Sequence, residues 1–188
     1  MEDLAGVVLA AGRGRRMKSR IPKVLHQVCG KELVRYSVEL LKDVGVGKVL
    51  VVVSPENQIA IEGVLGEEVE YIVQSQPLGT ADALGRCADA LRDACERVLV
   101  VGGDIPLVTA ASVRRLLTDQ QEYSSQMSLL TVTGSTKSDL GRVTKTGNRV
   151  LRVVEAADLP DVQDKAGGEV NAGVYCFQAK WLWPAILD

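Results

Sequence analysis

A glycine-rich, strongly basic loop near the N-terminus concentrates positive charge in an otherwise balanced chain. The apolar run Gly6–Ala11 leads into Gly12 and Gly14, and residues 12–31 hold seven Lys or Arg and no acid. Glycines let backbone N–H groups converge on an anion, and nearby cations neutralise it. A strand that ends in such a loop is typical of an α/β protein that holds a polyphosphate. The alternative, a basic surface turn, is compatible with the same composition.

The loop matches neither of two common nucleotide motifs. In the spacing Gly12-x-Gly14-x-x-Met17, methionine stands where a dinucleotide fingerprint needs a small residue, and no GxxxxGK[ST] pattern is present. An NAD-binding dehydrogenase domain is therefore a distant alternative. A triphosphate would instead be wrapped by backbone amides, Arg16 and Lys23.

A carboxylate follows a second apolar run. Asp104 comes after Val98–Val101 and two glycines, Gly102 and Gly103. Ligands of parallel sheets bind beyond the carboxyl ends of the strands, and a carboxylate beside a polyphosphate commonly holds Mg²⁺. The alternative is an Asp that caps a turn before Pro106.

Two further sets of polar residues are candidates for ligand contacts. Gln74 has a donor and an acceptor that could read the edge of a pyrimidine, while Thr80 is predicted to be the N-cap of a helix with Asp82 in its first turn. Glu155 ends one apolar run and Asn171 begins another, so they could hydrogen-bond sugar hydroxyls. From the residues alone, the favoured interpretation is that Glu155 and Asn171 are polar residues on an exposed face.

Composition limits the class of protein. The chain has 188 residues, 46% hydrophobic content, a net charge of −2 and a pI of about 5.6, which favours one globular α/β domain and opposes nucleic-acid binding. Its four cysteines form no metal-binding pattern, and His26 is the only histidine. The N-terminal apolar run is too short for a signal peptide or a membrane span, so we expect a cytoplasmic protein with reduced thiols.

Apolar β-rich runs alternate with helical patterns in the first two thirds of the chain. This alternation predicts a mostly parallel sheet with right-handed crossovers. The predicted strands are Gly6–Ala11, Lys48–Val53, Val69–Val73, Arg97–Val101 and Met127–Val132, followed by shorter ones at Gly141–Thr144, Arg149–Glu155 and Val170–Phe177. The predicted helices are Leu33–Val44, Glu56–Leu65, Leu84–Cys95, Ala110–Gln121 and at most a short one within Ala179–Asp188, where Pro184 limits regularity.

Taken together, these motifs resemble those of the nucleoside-diphospho-sugar pyrophosphorylases. More narrowly, they are similar to the uridylyltransferase domain of the bifunctional N-acetylglucosamine-1-phosphate uridylyltransferases. The matching segments follow the family's order from Leu9 to Tyr175: LAAGRGRRM, PKVLH, GKEL, QPLGTADA, GGDIPL, LGRV, VVEAAD and VNAGVY. The PKVLH segment separates this subgroup from thymidylyltransferases of similar fold.

The resemblance implies a Rossmann-like nucleotidyltransferase that joins UTP and N-acetylglucosamine 1-phosphate, a cell-wall precursor step. Arg16 and Lys23 would contact phosphates, and Asp104 would bind Mg²⁺. The other implied contacts are Leu9, Ala10, Ala11, Gly12, Gly14, Gln74, Gly79 and Thr80 to the nucleotide, and Gly141, Glu155 and Asn171 to the sugar.

The chain departs from the family pattern at three points. The family commonly has Tyr-Gly-Asp where this chain has Gly102-Gly103-Asp104, which removes a pocket side chain near the sugar. A second magnesium ligand and a closing strand lie beyond Asp188 in the family, and the β-helix acetyltransferase domain is absent. We therefore expect a domain that is incomplete at its C-terminal end. The apolar tail residues Trp181, Leu182 and Leu187 would be exposed or covered by a second subunit in a homo-oligomer.

Two other functions compete with this interpretation. One is the same chemistry with another nucleotide or sugar, which turnover of UTP, dTTP and CTP would distinguish. The other is a nucleotide-sugar binding module of weak catalytic power, which would bind UTP without releasing pyrophosphate.

Overall fold

The computed structural model describes residues 2–133, 140–155, 158 and 168–187. Its helices are α1 (Leu33–Asp43), α2 (Gln58–Leu65), α3 (Thr80–Gly85), α4 (Ala88–Leu91), α5 (Ala110–Glu122) and α6 (Ala179–Leu187). Its strands are β1 (Glu2–Leu9), β2 (Gln27–Val28), β3 (Lys31–Glu32), β4 (Lys48–Val53), β5 (Glu70–Val73), β6 (Cys95–Gly102), β7 (Met127–Thr133), β8 (Arg142–Thr146), β9 (Arg149–Val154) and β10 (Glu169–Gln178). No helix in the described ranges is long and apolar enough to cross a lipid bilayer.

Internal contacts divide the chain into two compact units. The first comprises Met1–Ser128 and Tyr175–Asp188, and the second comprises Leu129–Val174. The single domain expected for residues 1–188 stays a prediction.

The first unit is built on parallel strands in the order β5-β4-β1-β6, as the alternation of strands and helices predicts. Strand β4 is buried along Val49–Val53, which explains its continuous apolar sequence, since both faces are covered by other elements. The parallel register pairs Leu9 with both Val52 and Gly102, and Val53 with Val73. The four strands therefore end together at one edge of the sheet.

Helix α1 packs directly on the first strand. Its buried face contains Leu33, Val34, Val38 and Leu41, spaced for one side of a helix. A Cβ at Gly6 would lie 2.8 Å from Leu41 Cδ1, so the absence of a side chain in β1 allows this close approach. The predicted helix is confirmed.

The second unit contains a short antiparallel arrangement. Strand β8 pairs with β9, and Val170 in β10 pairs with Arg142 in β8. Glu169 accepts a hydrogen bond from Thr131 Oγ1 at 2.8 Å and forms an ion pair with Lys145. The shorter strands expected after residue 135 are thus present, although residues 134–139 lie outside the described part of the chain.

Three local predictions are wrong. The apolar stripe Leu84–Cys95 forms two short helices, α3 and α4, and Cys95 begins β6, because Gly85 and the turn after it break the helix that the spacing predicts. The N-cap of α3 is Gly79 rather than Thr80, with no side-chain cap. Helix α6 continues through Pro184 and buries Leu182 in the core, so Leu182 is not available to a second subunit.

All four cysteines are free, as expected, and all but Cys29 are buried. Burial raises the pKa of the Cys87 and Cys176 thiols to about 12. These two groups are therefore protonated at neutral pH and act as apolar core residues.

Candidate active site

The candidate site lies where β1, β4, β5 and β6 end at the same edge of the sheet. The residues that follow these strands are the glycine-rich loop, Ser54, Gln74 and Gly103–Asp104. Ala10 N donates to Val52 O at 2.9 Å, and Gly103 N donates to Leu9 O at 2.9 Å, so the strand ends are hydrogen-bonded beyond the last ladder residue. This pairing holds the loop and Asp104 at one edge.

Buried polar side chains that the sequence analysis missed fix these strand ends. Ser37 in α1 is fully buried and donates to Gly102 O at 2.8 Å. Asn57 is also buried; its Nδ2 donates to Ala10 O at 2.9 Å and its Oδ1 accepts from Ser54 N at 2.9 Å. The sequence offers one signal for the role of Ser37, because it is a polar residue within the apolar face of α1.

The glycine-rich loop folds over the lysine that follows it. Gly14 has φ +55°, and Met17 N donates to its carbonyl oxygen at 2.8 Å to form the 3₁₀ turn Arg15–Met17. A Cβ at Gly14 would lie 2.6 Å from Lys23 Cβ. Gly14 is thus required both by the backbone conformation and by contact with Lys23.

Replacement of Gly14 by alanine tests this contact. We expect Gly14→Ala to lower the free energy of unfolding by about 2 kcal/mol, because the substitution adds a steric clash to an unfavourable φ. Gly30→Ala is the matched control, since Gly30 has φ +76° but, among the described residues other than its two chain neighbours, none has an atom within 4 Å of the added Cβ. Urea unfolding measures the loss of stability in both variants, and the difference between the two losses is the free-energy cost of the clash. Equal losses of stability would show that Lys23 does not pack against Gly14.

Lys23 and Asp104 form an ion pair at the centre of this edge. Their side chains are 37% and 29% exposed, so both groups are accessible to a ligand. The sequence analysis expected one to contact phosphate and the other to bind a metal, and the structure brings them together. In the ligand-free protein the charges of Lys23 and Asp104 compensate each other. A nucleotide phosphate that binds together with a metal ion would have to separate this ion pair.

The remaining loop residues differ in exposure. Ala10 and Ala11 are buried, Leu9 packs against the core, and Gly12 is exposed with open space where a Cβ would point. Arg16 is exposed. Gly12 is therefore open to a ligand, while the residues before it anchor the loop.

A neighbouring loop cation already has a protein partner. Arg13 Nη2 donates to Glu56 Oε1 at 2.9 Å, and both side chains are more than half exposed. Hydrogen bonds from Ser54 and the backbone, followed by the charge of Arg13, hold the pKa of Glu56 below its usual value. The carboxylate of Glu56 is thus charged at neutral pH and cancels part of the positive charge of the loop.

Gln74 lies at the end of β5, where its backbone N donates to Val53 O at 2.8 Å. The side chain is buried, and its Nε2 donates to Gly79 O at 3.1 Å and to Asp82 Oδ2 at 2.7 Å. Gly79 has φ +110° and ψ −178°, a conformation that favours glycine, and Thr80 is the first residue of α3. The structure therefore brings Gln74 and Gly79 together.

In the second unit, the three predicted sugar-binding residues lie side by side. Asn171 N donates to Gly141 O at 2.9 Å, and a Cβ at Gly141 would lie 3.2 Å from Glu155 Oε1. Asn171 Oδ1 accepts from Gly173 N at 3.0 Å. A carboxylate, an amide and a glycine that leaves room between strands are thus combined in one cluster.

Asp104 is the candidate Mg²⁺ ligand at this edge of the sheet. Within the described residues, no group of three or more His, Cys, Asp or Glu side chains could hold a metal ion. Mg²⁺ is commonly held by one or two carboxylates together with substrate phosphates and water. Asp104, which is partly exposed at the edge of the sheet, fits that mode, and the phosphates of a nucleotide would supply the other ligands.

A family model identifies the family of the chain. The model for the MobA-like NTP transferase domain matches residues 6–170, which include the loop, Gln74, Asp104 and most of the second unit. The chain belongs to the MobA-like NTP transferase family. It has the mixed α/β fold that the sequence motifs predict, and its family is one of nucleotidyltransferases.

Curated relatives of this NTP transferase cover the whole chain. The bifunctional protein GlmU of Brevibacillus brevis is 36% identical over 189 residues, which are 100% of this chain and 41% of the relative. The GlmU protein of Pelotomaculum thermopropionicum is 37% identical over 188 residues, 98% of this chain and 40% of the relative. The chain thus spans about two fifths of the length of these relatives.

Two solved structures share the fold of this chain. HddC from Yersinia pseudotuberculosis is 23% identical, covers 98% of this chain and 80% of its own, and has a TM-score of 0.75. A putative glucose-1-phosphate thymidylyltransferase from Bacillus anthracis is 20% identical, with a TM-score of 0.68 and coverage of 95% of this chain and 73% of its own. At these identities the likeness is one of fold.

Proposed function

We propose that this NTP transferase domain joins UTP and N-acetylglucosamine 1-phosphate to give UDP-N-acetylglucosamine and pyrophosphate. The pairing of Lys23 with Asp104 beside the glycine-rich loop is the observation that carries the phosphoryl chemistry. The choice of uridine and of the acetylated sugar is supported by the similarity to GlmU over the full length of the chain.

In the proposed reaction, an oxygen of the sugar phosphate attacks the α-phosphorus of UTP. A new P–O bond forms as the bond to the β-phosphate oxygen breaks, and pyrophosphate leaves. Charge builds up on phosphate oxygens, so the protein acts mainly by positioning and by electrostatic stabilisation. Lys23 and Arg16 supply positive charge, and the backbone amides of the loop at Gly12 and Gly14 hold phosphate oxygens.

Asp104 is the proposed protein ligand of Mg²⁺. When bound, the ion neutralises phosphate charge and polarises the phosphoryl oxygens. When the nucleotide arrives, Lys23 exchanges its contact with Asp104 for one with phosphate. Lys23 would then pair with phosphate and Asp104 with the metal ion. Neither charge would be left without a partner of opposite sign.

Gln74, Gly79 and Thr80 are proposed to contact the uracil, with Leu9, Ala10 and Ala11 supporting the nucleoside. The cluster of Gly141, Glu155 and Asn171 is proposed to hold the sugar, because its carboxylate and amide groups can pair with hydroxyl and N-acetyl groups. We further propose that the protein acts in the cytoplasm. Assembly into a homo-oligomer stays a prediction.

The test is release of pyrophosphate from purified protein with Mg²⁺, UTP and N-acetylglucosamine 1-phosphate. We expect kcat/KM to be highest for this pair when dTTP, CTP and glucose 1-phosphate are compared. Turnover with a different pair would overturn the specificity. Binding of UTP with no release of pyrophosphate from any pair would overturn the catalytic function.

A further inference from the structure

The amide of Gln74 has a fixed orientation in the ligand-free protein. Its Nε2 carries two hydrogens, and both are directed at acceptors: Gly79 O at 3.1 Å and Asp82 Oδ2 at 2.7 Å. A carbonyl oxygen and a carboxylate oxygen cannot donate, so an amide turned by 180° would place its oxygen against two other oxygens. The two partners thus determine which end of the amide faces them.

The oxygen of the same amide is left for a ligand. Gln74 Oε1 accepts no hydrogen bond from any residue that the structure describes. The residue as a whole is only 5% exposed, but this oxygen is not completely buried and so retains access to the surface. The protein therefore presents a hydrogen-bond acceptor, and not a donor, at the end of β5.

Asp82 is itself held in place from the other side. Arg86 Nη2, one turn further along the chain, donates to Asp82 Oδ1 at 3.0 Å, while Oδ2 accepts from Gln74. The hydrogen bond from Gln74, and next the interactions with Arg86, lower the pKa of the Asp82 carboxyl. Asp82 is consequently ionised at neutral pH and can only accept, which keeps Gln74 in one orientation.

We propose that Asp82 is a positioning residue that sets nucleobase selectivity by holding Gln74 Oε1 toward the base as an acceptor. The proposal rests on the proposed function insofar as that function places the base at Gln74. If this oxygen faces the ring nitrogen of the base, N3 of uracil or thymine and N1 of guanine can donate their N–H to it. Cytosine N3 and adenine N1 would instead oppose one lone pair to another.

The test compares wild-type protein with Asp82→Asn, which keeps the shape of the side chain and loses its charge. In Asp82→Asn, Arg86 competes for the single amide oxygen, and the NH₂ group is free to face Gln74. A turned Gln74 then opposes its oxygen only to Gly79 O and no longer to a carboxylate, so a larger share of the molecules presents the Gln74 NH₂ to the base. We expect the preference for UTP over CTP, measured by isothermal titration calorimetry with Mg²⁺, to fall by about tenfold.

Asp89→Asn is the matched control, because it makes the same substitution at an exposed position in the following helix. It should leave the preference unchanged. NMR spectra of the Gln74 side-chain NH₂ in ligand-free protein give a second readout: slow hydrogen exchange in the wild type and faster exchange in Asp82→Asn. Unchanged exchange, or an unchanged preference in folded Asp82→Asn, would overturn the role of Asp82.

The same titrations separate this inference from the proposed function. If the wild-type protein prefers dTTP or GTP, the proposed uridine specificity fails while the acceptor role of Gln74 is supported. If it prefers CTP or ATP, the inference itself is overturned, even where Asp82→Asn does not fold.

Discussion

Asp104→Asn is expected to abolish most Mg²⁺-dependent turnover and to leave the fold intact. The substitution removes the carboxylate proposed to hold Mg²⁺, and loss of such electrostatic stabilisation lowers kcat by about 10³-fold. The free energy of unfolding should change by about 1 kcal/mol or less, because the ion pair with Lys23 is partly exposed and screened by solvent. Pyrophosphate release over a range of Mg²⁺ concentrations, with urea unfolding in parallel, measures both effects.

The charge left behind gives Asp104→Asn a further signature. Without its carboxylate partner, Lys23 is available to phosphate from the start, so UTP binding measured without Mg²⁺ should be maintained or strengthened. Asp119→Asn, at a half-exposed position of α5, is the control for loss of one negative charge. Normal Mg²⁺ dependence together with a large loss of stability would instead support a purely structural turn at Asp104.

Apolar patterns were sufficient to predict the layout of the first unit. The continuous apolar run in β4 and the spacing of three or four residues between apolar positions in α1 both reflect burial. Such patterns involve residues that are close in sequence, so they can be recognised without the structure. The alternation of such segments predicts a parallel sheet, and in a parallel sheet the strand ends share one edge. That edge could therefore be located from the sequence, and Gly12, Gln74 and Asp104 are found there.

Two of the three local errors arise at glycine residues. The sequence favoured Thr80 as an N-cap because a hydroxyl commonly accepts from the first turn of a helix, but Gly79, with φ +110°, occupies that position. The apolar spacing that ends in Cys95 fits one helix, yet Gly85 weakens it and the chain turns before β6. At Gly79 the backbone conformation overrides a capping preference, whereas Gly85 ends α3 through the low helix propensity of glycine.

Contacts between distant residues were beyond sequence reasoning. Lys23 and Asp104 were each assigned to a ligand, but nothing in their local patterns indicated that they pair with each other. Asp82 was explained as an acid in the first turn of a helix, whereas its contact with Gln74 gives it a second partner. Such contacts depend on three-dimensional register, and they are the ones that decide how the site is charged and oriented.

Lys23→Ala is expected to lower kcat/KM by about 10²–10³-fold, on the scale of one lost electrostatic stabiliser. Lys23 is proposed to neutralise the phosphate oxygens as charge builds up on them, so kcat should fall more than KM rises. The unfolding free energy should change little, because the lysine is partly exposed and its ion pair is screened. Steady-state release of pyrophosphate and urea unfolding of the same preparation provide the two measurements.

Lys18→Ala is the control for Lys23→Ala, since Lys18 is an exposed lysine of the same basic segment. It should retain kcat/KM to within about threefold, as expected for a charge that acts only at long range. The double variant with Asp104→Asn adds a stricter test. Lys23 and Asp104 act on the same phosphates and pair with each other, so their effects on kcat/KM should be less than additive. Full additivity, or unchanged turnover in folded Lys23→Ala, would show that Lys23 stabilises no charge in the transition state.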